Sequence, residues 1–345
     1  MNKNIEEQKR IVVFNVNWLG DVLFSTPALK ALRMANPNAF LAVIVHPRTK
    51  EILENNPNID ELIVFDERQK GSRLLGKLKF VSSLRKRNFD TVYLFHRSFT
   101  RSMLMALAKI PNRIGYKAKK RTALMLTKRI VLPKQNLHRV DYFLNILKNC
   151  GINCPTNEYE FFLDSASRKK IAKFLEDQLI TPTDFVVILN PGGNWDLKRW
   201  SPQQFSQLAD ELISEFKAKI ILTGSAKDLS LARQIASGIK EKSIITCGNT
   251  SLKELGALIE RGKLFISADS GPMHISVALG IPTIALFGPT SPEITGPIGR
   301  GKFKVVRKDI GCLVPCYNVK CKDNRCMQSI SVEDVLGAVR EITSL

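Results

Sequence analysis

Short β-rich runs alternate with longer helical runs, the alternation occurs in both halves of the chain, and glycine- or aspartate-bearing loops follow several of the β-rich runs. These observations predict an α/β protein of two doubly wound Rossmann-like domains facing a central cleft. The cleft is expected because open parallel sheets bind ligands outside the carboxyl ends of their strands. At 345 residues, 44% of them apolar and 24% charged, the chain has material for about two buried cores.

In the first half, β-branched and aromatic runs place strands at Ile11–Val16, Phe40–Val45, Glu61–Phe65 and Thr91–Phe95. Helical spacing places helices at Val22–Ala35, Arg48–Glu54, Ser72–Arg87, Phe99–Lys109 and Arg139–Cys150, the last stopped by Gly151. Pro155 and Thr156 mark a polar boundary, and Ser165–Leu179 reads as a bridging helix. The second half predicts strands at Phe185–Leu189, Lys219–Leu222, Ser243–Thr246, Lys263–Ser267 and Thr283–Phe287. Its helices carry start signals: Ser201 before Pro202 with Gln204 behind, the capping box Ser251–Glu254, and Pro272 opening a helix that Gly280 closes. The expected domains are 1–164 (N-terminal, Rossmann-like, acceptor-binding), 165–330 (C-terminal, Rossmann-like, nucleotide-sugar-binding) and a helix over 331–345 able to pack back on the N-terminal domain.

Composition excludes several classes. With 20 Gly and 16 Pro, collagen-like and low-complexity chains are out. No apolar run approaches the roughly 18 residues of a membrane span. The opening MNKNIEEQKR does not read as a signal peptide, so a cytoplasmic location is expected. The net charge of +20 is concentrated: Arg68–Arg139 holds 20 Lys and Arg and one acid, Asp90. A regional excess of this kind points to an anionic partner such as nucleic acid, a membrane surface or a phosphorylated lipid, although it also suits a solvated basic face.

Nucleotide motifs are mostly negative. The first βα turn, Asn17–Asp21, has one glycine where a dinucleotide fingerprint needs three. Gly296–Lys302 nearly spells a phosphate-binding loop, but Phe303 stands where Ser or Thr would hold magnesium, and a β-like run follows. No Asp-x-Asp pair occurs, so protein groups must neutralise any bound diphosphate. No cofactor is called for.

Three loops at strand ends carry chemistry in the second half. Asn190-Pro-Gly-Gly-Asn194 lets the backbone of Gly192 and Gly193 approach an anion, and Lys198 adds a point charge. Asp269-Ser270-Gly271-Pro-Met-His274 enters a helix whose free N–H groups and dipole attract an anion, while Asp269 suits sugar hydroxyls. Gly224–Asp228 puts a carboxylate within reach of a ribose diol. The plainer accounts are a glycine turn, N-capping by Asp269 and Ser270, and a core imidazole at His274. In the first half, Asp21 follows the first strand, as a helix cap or as a general base for an incoming hydroxyl.

Trp18-Leu-Gly-Asp21-Val22 with Pro27-Ala-Leu29, the Asn190–Trp200 loop and Asp269–His274 together resemble glycosyltransferase family nine, the bacterial lipopolysaccharide heptosyltransferases, and most of all the heptosyltransferase II type. The resemblance runs the length of the chain. It implies a GT-B fold, a metal-independent inverting mechanism and ADP-heptose as donor. By position, Asp21 resembles the catalytic base, Lys198 the diphosphate-binding lysine and Asp269 the donor-contacting aspartate. Asp228 stands where the family has a ribose-binding Glu.

The reading is therefore an inverting transferase taking a nucleotide-sugar donor and an anionic glycolipid acceptor, peripheral on the cytoplasmic face of the inner membrane. Gly192, Gly193, Asn194, Asp228, Asp269, Ser270, Gly271 and His274 are expected at the donor. Arg97, Arg101, Lys119, Lys120 and Arg121 are expected at the acceptor. The alternatives are a basic nucleic-acid-binding protein, for which no recognised module is present, and another sugar-nucleotide enzyme. Cys312, Cys316, Cys321 and Cys326 lie within fifteen residues, a spacing compatible with a structural zinc site or with free thiols.

Overall fold

The apolar runs of the first half form six strands: β1 (Arg10–Phe14), β2 (Phe40–Val45), β3 (Glu61–Val64), β4 (Thr91–Leu94), β5 (Asn112–Tyr116) and β6 (Lys128–Ile130). The second half supplies β7 (Val186–Asn190), β8 (Lys219–Leu222), β9 (Ile244–Ile245), β10 (Leu264–Ala268), β11 (Thr283–Leu286) and β12 (Phe303–Val306). These come from a computed structural model that describes residues 8–67, 73–118, 120–299, 301–316, 318 and 320–343. The chain divides into two compact units, Met1–Phe162 and Leu163–Leu345.

Among the described residues each unit holds one sheet, and every pairing is parallel. The orders are β3-β2-β1-β4-β5-β6 and β12-β11-β10-β7-β8-β9, the same doubly wound topology twice. Val12 sits between Ala42 and Val92, and Ile188 between Phe265 and Ile221. The central strands are buried throughout, which explains their unbroken apolar runs: helices cover both faces, so no alternation is selected. In each sheet the strand order reverses once, between β1 and β4 and between β7 and β10, and ligand crevices form at such points.

Several expectations change. Strands β5 and β6 were not anticipated, because NRIGY and KRI are short segments with few apolar positions, and β6 at the sheet edge is mostly charged. The helix expected over Val22–Ala35 is two helices, Leu19–Phe24 and Thr26–Ala35. Ser25 breaks it: its hydroxyl donates to Val22 O at 2.7 Å and accepts from Asn15 Nδ2 at 2.9 Å, and Pro27 restarts the helix. The expected bridging helix is Ser165–Asp177, and it packs within the second unit through Arg168–Glu260 and Lys170–Glu254. The closing helix is Val332–Thr343. Its apolar face, Val335, Leu336, Val339 and Ile342, joins the core of the second unit. Among the described residues no helix is long and apolar enough to cross a membrane.

One side chain ties the loop after β7 to this core. Trp200 is fully buried, stands edge-on to Phe205, and donates from Nε1 to Ile330 O at 2.8 Å. Trp200→Ala is expected to lower the unfolding free energy by about 3–5 kcal/mol, measured by chemical denaturation. A loss below about 1 kcal/mol would show that the loop is not anchored there.

Candidate active site

In the second unit the reversal point is held by Asn190 at the end of β7. Its Nδ2 donates to Ser267 Oγ at 2.9 Å and to Ser270 Oγ at 3.1 Å, which joins β7 to the end of β10. Ser270 is the N-cap residue of helix Gly271–Ala278, yet its side chain makes no cap bond to that helix. Capping by Ser270 was one expectation for this motif; the hydroxyl is instead drawn into the Asn190–Ser267 network. The first turn thus keeps backbone donors and the positive end of the dipole for an anion.

Beside this helix start lies a buried charge cluster. Asp269, 8% exposed, accepts from Lys198 Nζ at 2.7 Å through Oδ2. Thr295 Oγ1 donates to the same oxygen at 3.4 Å, and His274 Nε2 stands 3.8 Å from Oδ1. Burial alone would raise the Asp269 carboxyl, but the His274 hydrogen bond and the Lys198 charge outweigh it and pull it down to about 2.

The glycine loop is shaped by Asp228. Its Oδ2 accepts from Ser225 N at 2.9 Å and Ser225 Oγ at 2.6 Å, closing a capping box. The carboxyl group occupies the space where Gly192 would carry a side chain: a Cβ there would stand 2.5 Å from Asp228 Cγ. Arg199, which the sequence reading passed over, donates through Nη2 to Gly193 O at 2.8 Å and lies 3.4 Å from Asp228 Oδ1. Only its place next to Lys198 could have flagged it. Asn194 is exposed at the loop tip.

In the first unit Asp21 lies in the first turn of Leu19–Phe24, just beyond β1, with Arg139 Nε 3.5 Å from Oδ1. The charges of Arg97, Arg139 and Asp21 all act on the Tyr142 phenol, which burial pushes upward. His96, at the end of β4, is held below its ordinary value by burial and then by Arg101, with Arg97 and Arg139 adding to the effect. A carboxylate therefore sits among arginines. Arg139 was missed because no sequence spacing links position 139 to position 21.

The expected acceptor residues divide. Arg97, Lys120 and Arg121 are exposed, and Lys119 lies outside the described residues. Arg101 is a correction: it is 2% exposed, donates to Glu67 Oε1 at 2.5 Å and to Asn15 O at 2.7 Å, and covers the Phe14 ring. Burial commits it to holding the end of β1. The four clustered cysteines form no disulfide, and among the described residues no group of three or more His, Cys, Asp or Glu is placed to hold a metal ion.

The family model for glycosyltransferase family 9 (heptosyltransferase) matches residues 77–325. Lipopolysaccharide heptosyltransferase 2 of Escherichia coli K12 is 26% identical over 308 residues, covering 86% of this chain and 88% of that one. Among solved structures, the glycosyl transferase family 9 protein of Veillonella parvula has a TM-score of 0.87 at 28% identity, covering 97% of each chain. The E. coli ADP-heptose lps heptosyltransferase II structure has a TM-score of 0.80 at 23% identity, covering 96% of this chain and 98% of that one, and shares the fold.

Two outcomes follow from the second unit's geometry. Gly192→Ala is expected to destabilise by about 1–3 kcal/mol through overpacking against the pinned Asp228 carboxyl. In the Asp228→Ala background most of that cost should vanish; additive losses in a double-mutant cycle would refute the contact. Asp269 titrates lower in the folded chain than its ordinary 3.8, so its ionised form contributes about 2 kcal/mol at neutral pH. That contribution is complete above about pH 4 and is lost as pH falls toward 2. The stability gap between the parent and Asp269→Asn should thus stay constant from pH 7 to about 4.5 and shrink below it. A gap that shrinks instead between pH 7 and 5 would contradict the depressed carboxyl.

Proposed function

The chain belongs to glycosyltransferase family 9 and is a transferase, and on that premise we propose that it moves a heptose from ADP-heptose to a lipopolysaccharide core acceptor, with inversion at the anomeric carbon. The E. coli relative's name supports the acceptor class and sugar, and the heptosyltransferase II title supports the nucleotide. The observation that carries the reading is the uncapped start of helix Gly271–Ala278 beside Lys198 at the β7–β10 reversal, a place built for a diphosphate.

In the proposed donor site the Gly192–Gly193 backbone, Asn194, Ser270 and Gly271 surround the phosphates, and Lys198 supplies a charge. Asp269 acts by holding that ammonium and His274 by standing against Asp269; Asp228 shapes the glycine loop. As the acceptor hydroxyl attacks the anomeric carbon, the bond to the diphosphate oxygen breaks and inverts the centre. Asp21 takes the hydroxyl proton. Lys198 and the helix end stabilise the negative charge that develops on the departing diphosphate. Arg97, Arg139, Lys120 and Arg121 present positive charge to a phosphorylated acceptor. The acceptor's lipid places the enzyme on the cytoplasmic face of the inner membrane. Family membership leaves the nucleic-acid alternative without a supporting feature beyond net charge.

The test separates the two units. Transfer from ADP-heptose to a truncated lipopolysaccharide is followed alongside donor binding by calorimetry. Asp21→Asn is expected to slow turnover by about 10²–10⁴-fold with donor affinity unchanged. Lys198→Ala is expected to weaken donor binding by roughly 10–100-fold, the loss of a charged hydrogen bond. Full turnover in Asp21→Asn, or unaltered donor affinity in Lys198→Ala, would reject the assignment.

A further inference from the structure

Helix Arg73–Arg85 of the first unit is apolar on two sides. Phe80, Val81 and Leu84 are buried in the core that includes Val12, Phe14 and Val92. Leu74, Leu75 and Leu78 point away from that core and are 72%, 63% and 52% exposed. At 100° per residue these three fall within an arc of about 100°, separate from the buried one. Scattered exposed leucines are normal; three adjoining on the first turns of one helix are not.

Topology says where they lie. In a parallel sheet the helix after each strand starts at the strands' carboxyl edge, the edge that carries Asp21, His96 and Arg97. Helix Arg73–Arg85 follows β3, Phe99–Leu107 follows β4 and Lys120–Leu124 follows β5, so all three begin at that edge. Phe99, at the start of the second, is 39% exposed. Lys79 on the same helix, and Lys120 and Arg121 at the start of the third, are exposed, and Asp90 is the one acid of the Arg68–Arg139 sequence. Exposed leucines on one helix face, with the exposed cations Lys79, Lys120 and Arg121 on this helix and on one that starts at the same edge, and with Glu67 there paired to Arg101, match an anionic bilayer: apolar side chains enter the acyl boundary while ammonium and guanidinium groups meet phosphates.

We propose that helix Arg73–Arg85 is an interfacial anchor, with Leu74, Leu75 and Leu78 inserted into an anionic lipid surface so that the carboxyl edge of the first sheet faces the membrane. The identity of the lipid-borne molecule met there rests on the glycolipid acceptor proposed above; the anchor itself does not. It adds to the charge-based attraction a short apolar footing whose side chains the fold leaves unused.

The experiment uses the full chain and vesicles of phosphatidylethanolamine with phosphatidylglycerol, against phosphatidylcholine alone. Leu74→Ser/Leu75→Ser/Leu78→Ser is expected to partition to the anionic vesicles at least about tenfold less than the parent, with circular dichroism and nucleotide-sugar binding unchanged. The indole introduced by Leu75→Trp is expected to shift its emission to the blue when anionic vesicles are added. Three results would overturn the proposal: equal partitioning of parent and triple variant, an indole emission in Leu75→Trp that vesicles leave unmoved, or a parent dimer in sedimentation that the triple variant abolishes. Transfer assays keep the two readings apart. A triple variant that turns over a lipid-free acceptor like the parent but fails on a vesicle-borne one supports the anchor. A parent that transfers to neither rejects the function, while the vesicle measurements still decide the anchor.

Discussion

A carboxylate at 8% exposure stays charged only if the fold brings cations and donors to it, and Asp269 has that effect on three separate segments. Lys198 arrives from the loop after β7, His274 from the helix that follows, and Thr295 from helix Pro292–Thr295. Satisfying one charge fixes all three against the reversal point. It also places an ammonium beside a helix N-terminus, two positive features that would otherwise repel. The ammonium has three protons; the short bond to Oδ2 uses one and a 3.5 Å bond to Asp269 O a second, so the pair is neutral overall yet keeps a donor for an anion.

Both sheets solve the reversal with an asparagine behind the first strand. Asn15 and Asn190 are 1% and 2% exposed, and each spends its amide on serines: Ser25 in one unit, Ser267 and Ser270 in the other. What each frame carries differs. The first presents Asp21 with Arg139 against it; the second presents Lys198 and backbone donors. In the proposed reaction these are complementary demands, a proton acceptor for the incoming hydroxyl and positive charge for the leaving diphosphate. The same topology thus serves opposite charges because only the loops after the strands differ.

The fold was legible where local chemistry decides it. Ser201 caps its helix through Gln204 N, and the Ser251–Glu254 box closes in both directions, as their spacing foretells. Central strands declared themselves as unbroken apolar runs. Strand β5 and the edge strand β6 did not, since Gly115 and the polar Asn112 and Arg113 leave β5 with few apolar positions, and Lys128 and Arg129 of β6 are exposed charges. The motifs of the site could be found, but not what their side chains touch. Arg101 and Arg97 are equivalent as sequence, four residues apart in a basic stretch. One fills the space over Phe14 and serves Glu67 and Asn15, the other is exposed, and only tertiary packing separates them. Arg139, and the reach of Arg199 to Asp228, were hidden for the same reason: each meets a carboxylate distant in sequence.

Asp228 shows how a shorter side chain changes a role. The resemblance sets it where a Glu would meet ribose, yet here the carboxyl turns back to accept both Ser225 donors and fills the Cβ space of Gly192. With Oδ2 saturated by Ser225, the acceptor capacity that remains is on Oδ1, which faces Arg199 at 3.4 Å. A methylene more would carry the carboxylate past the Ser225 cap, out of the position that the bare Gly192 accommodates. In the proposed donor site, then, Asp228 acts first through the backbone it shapes: Gly192 lies against its carboxyl, and Arg199 spans from it to Gly193 O.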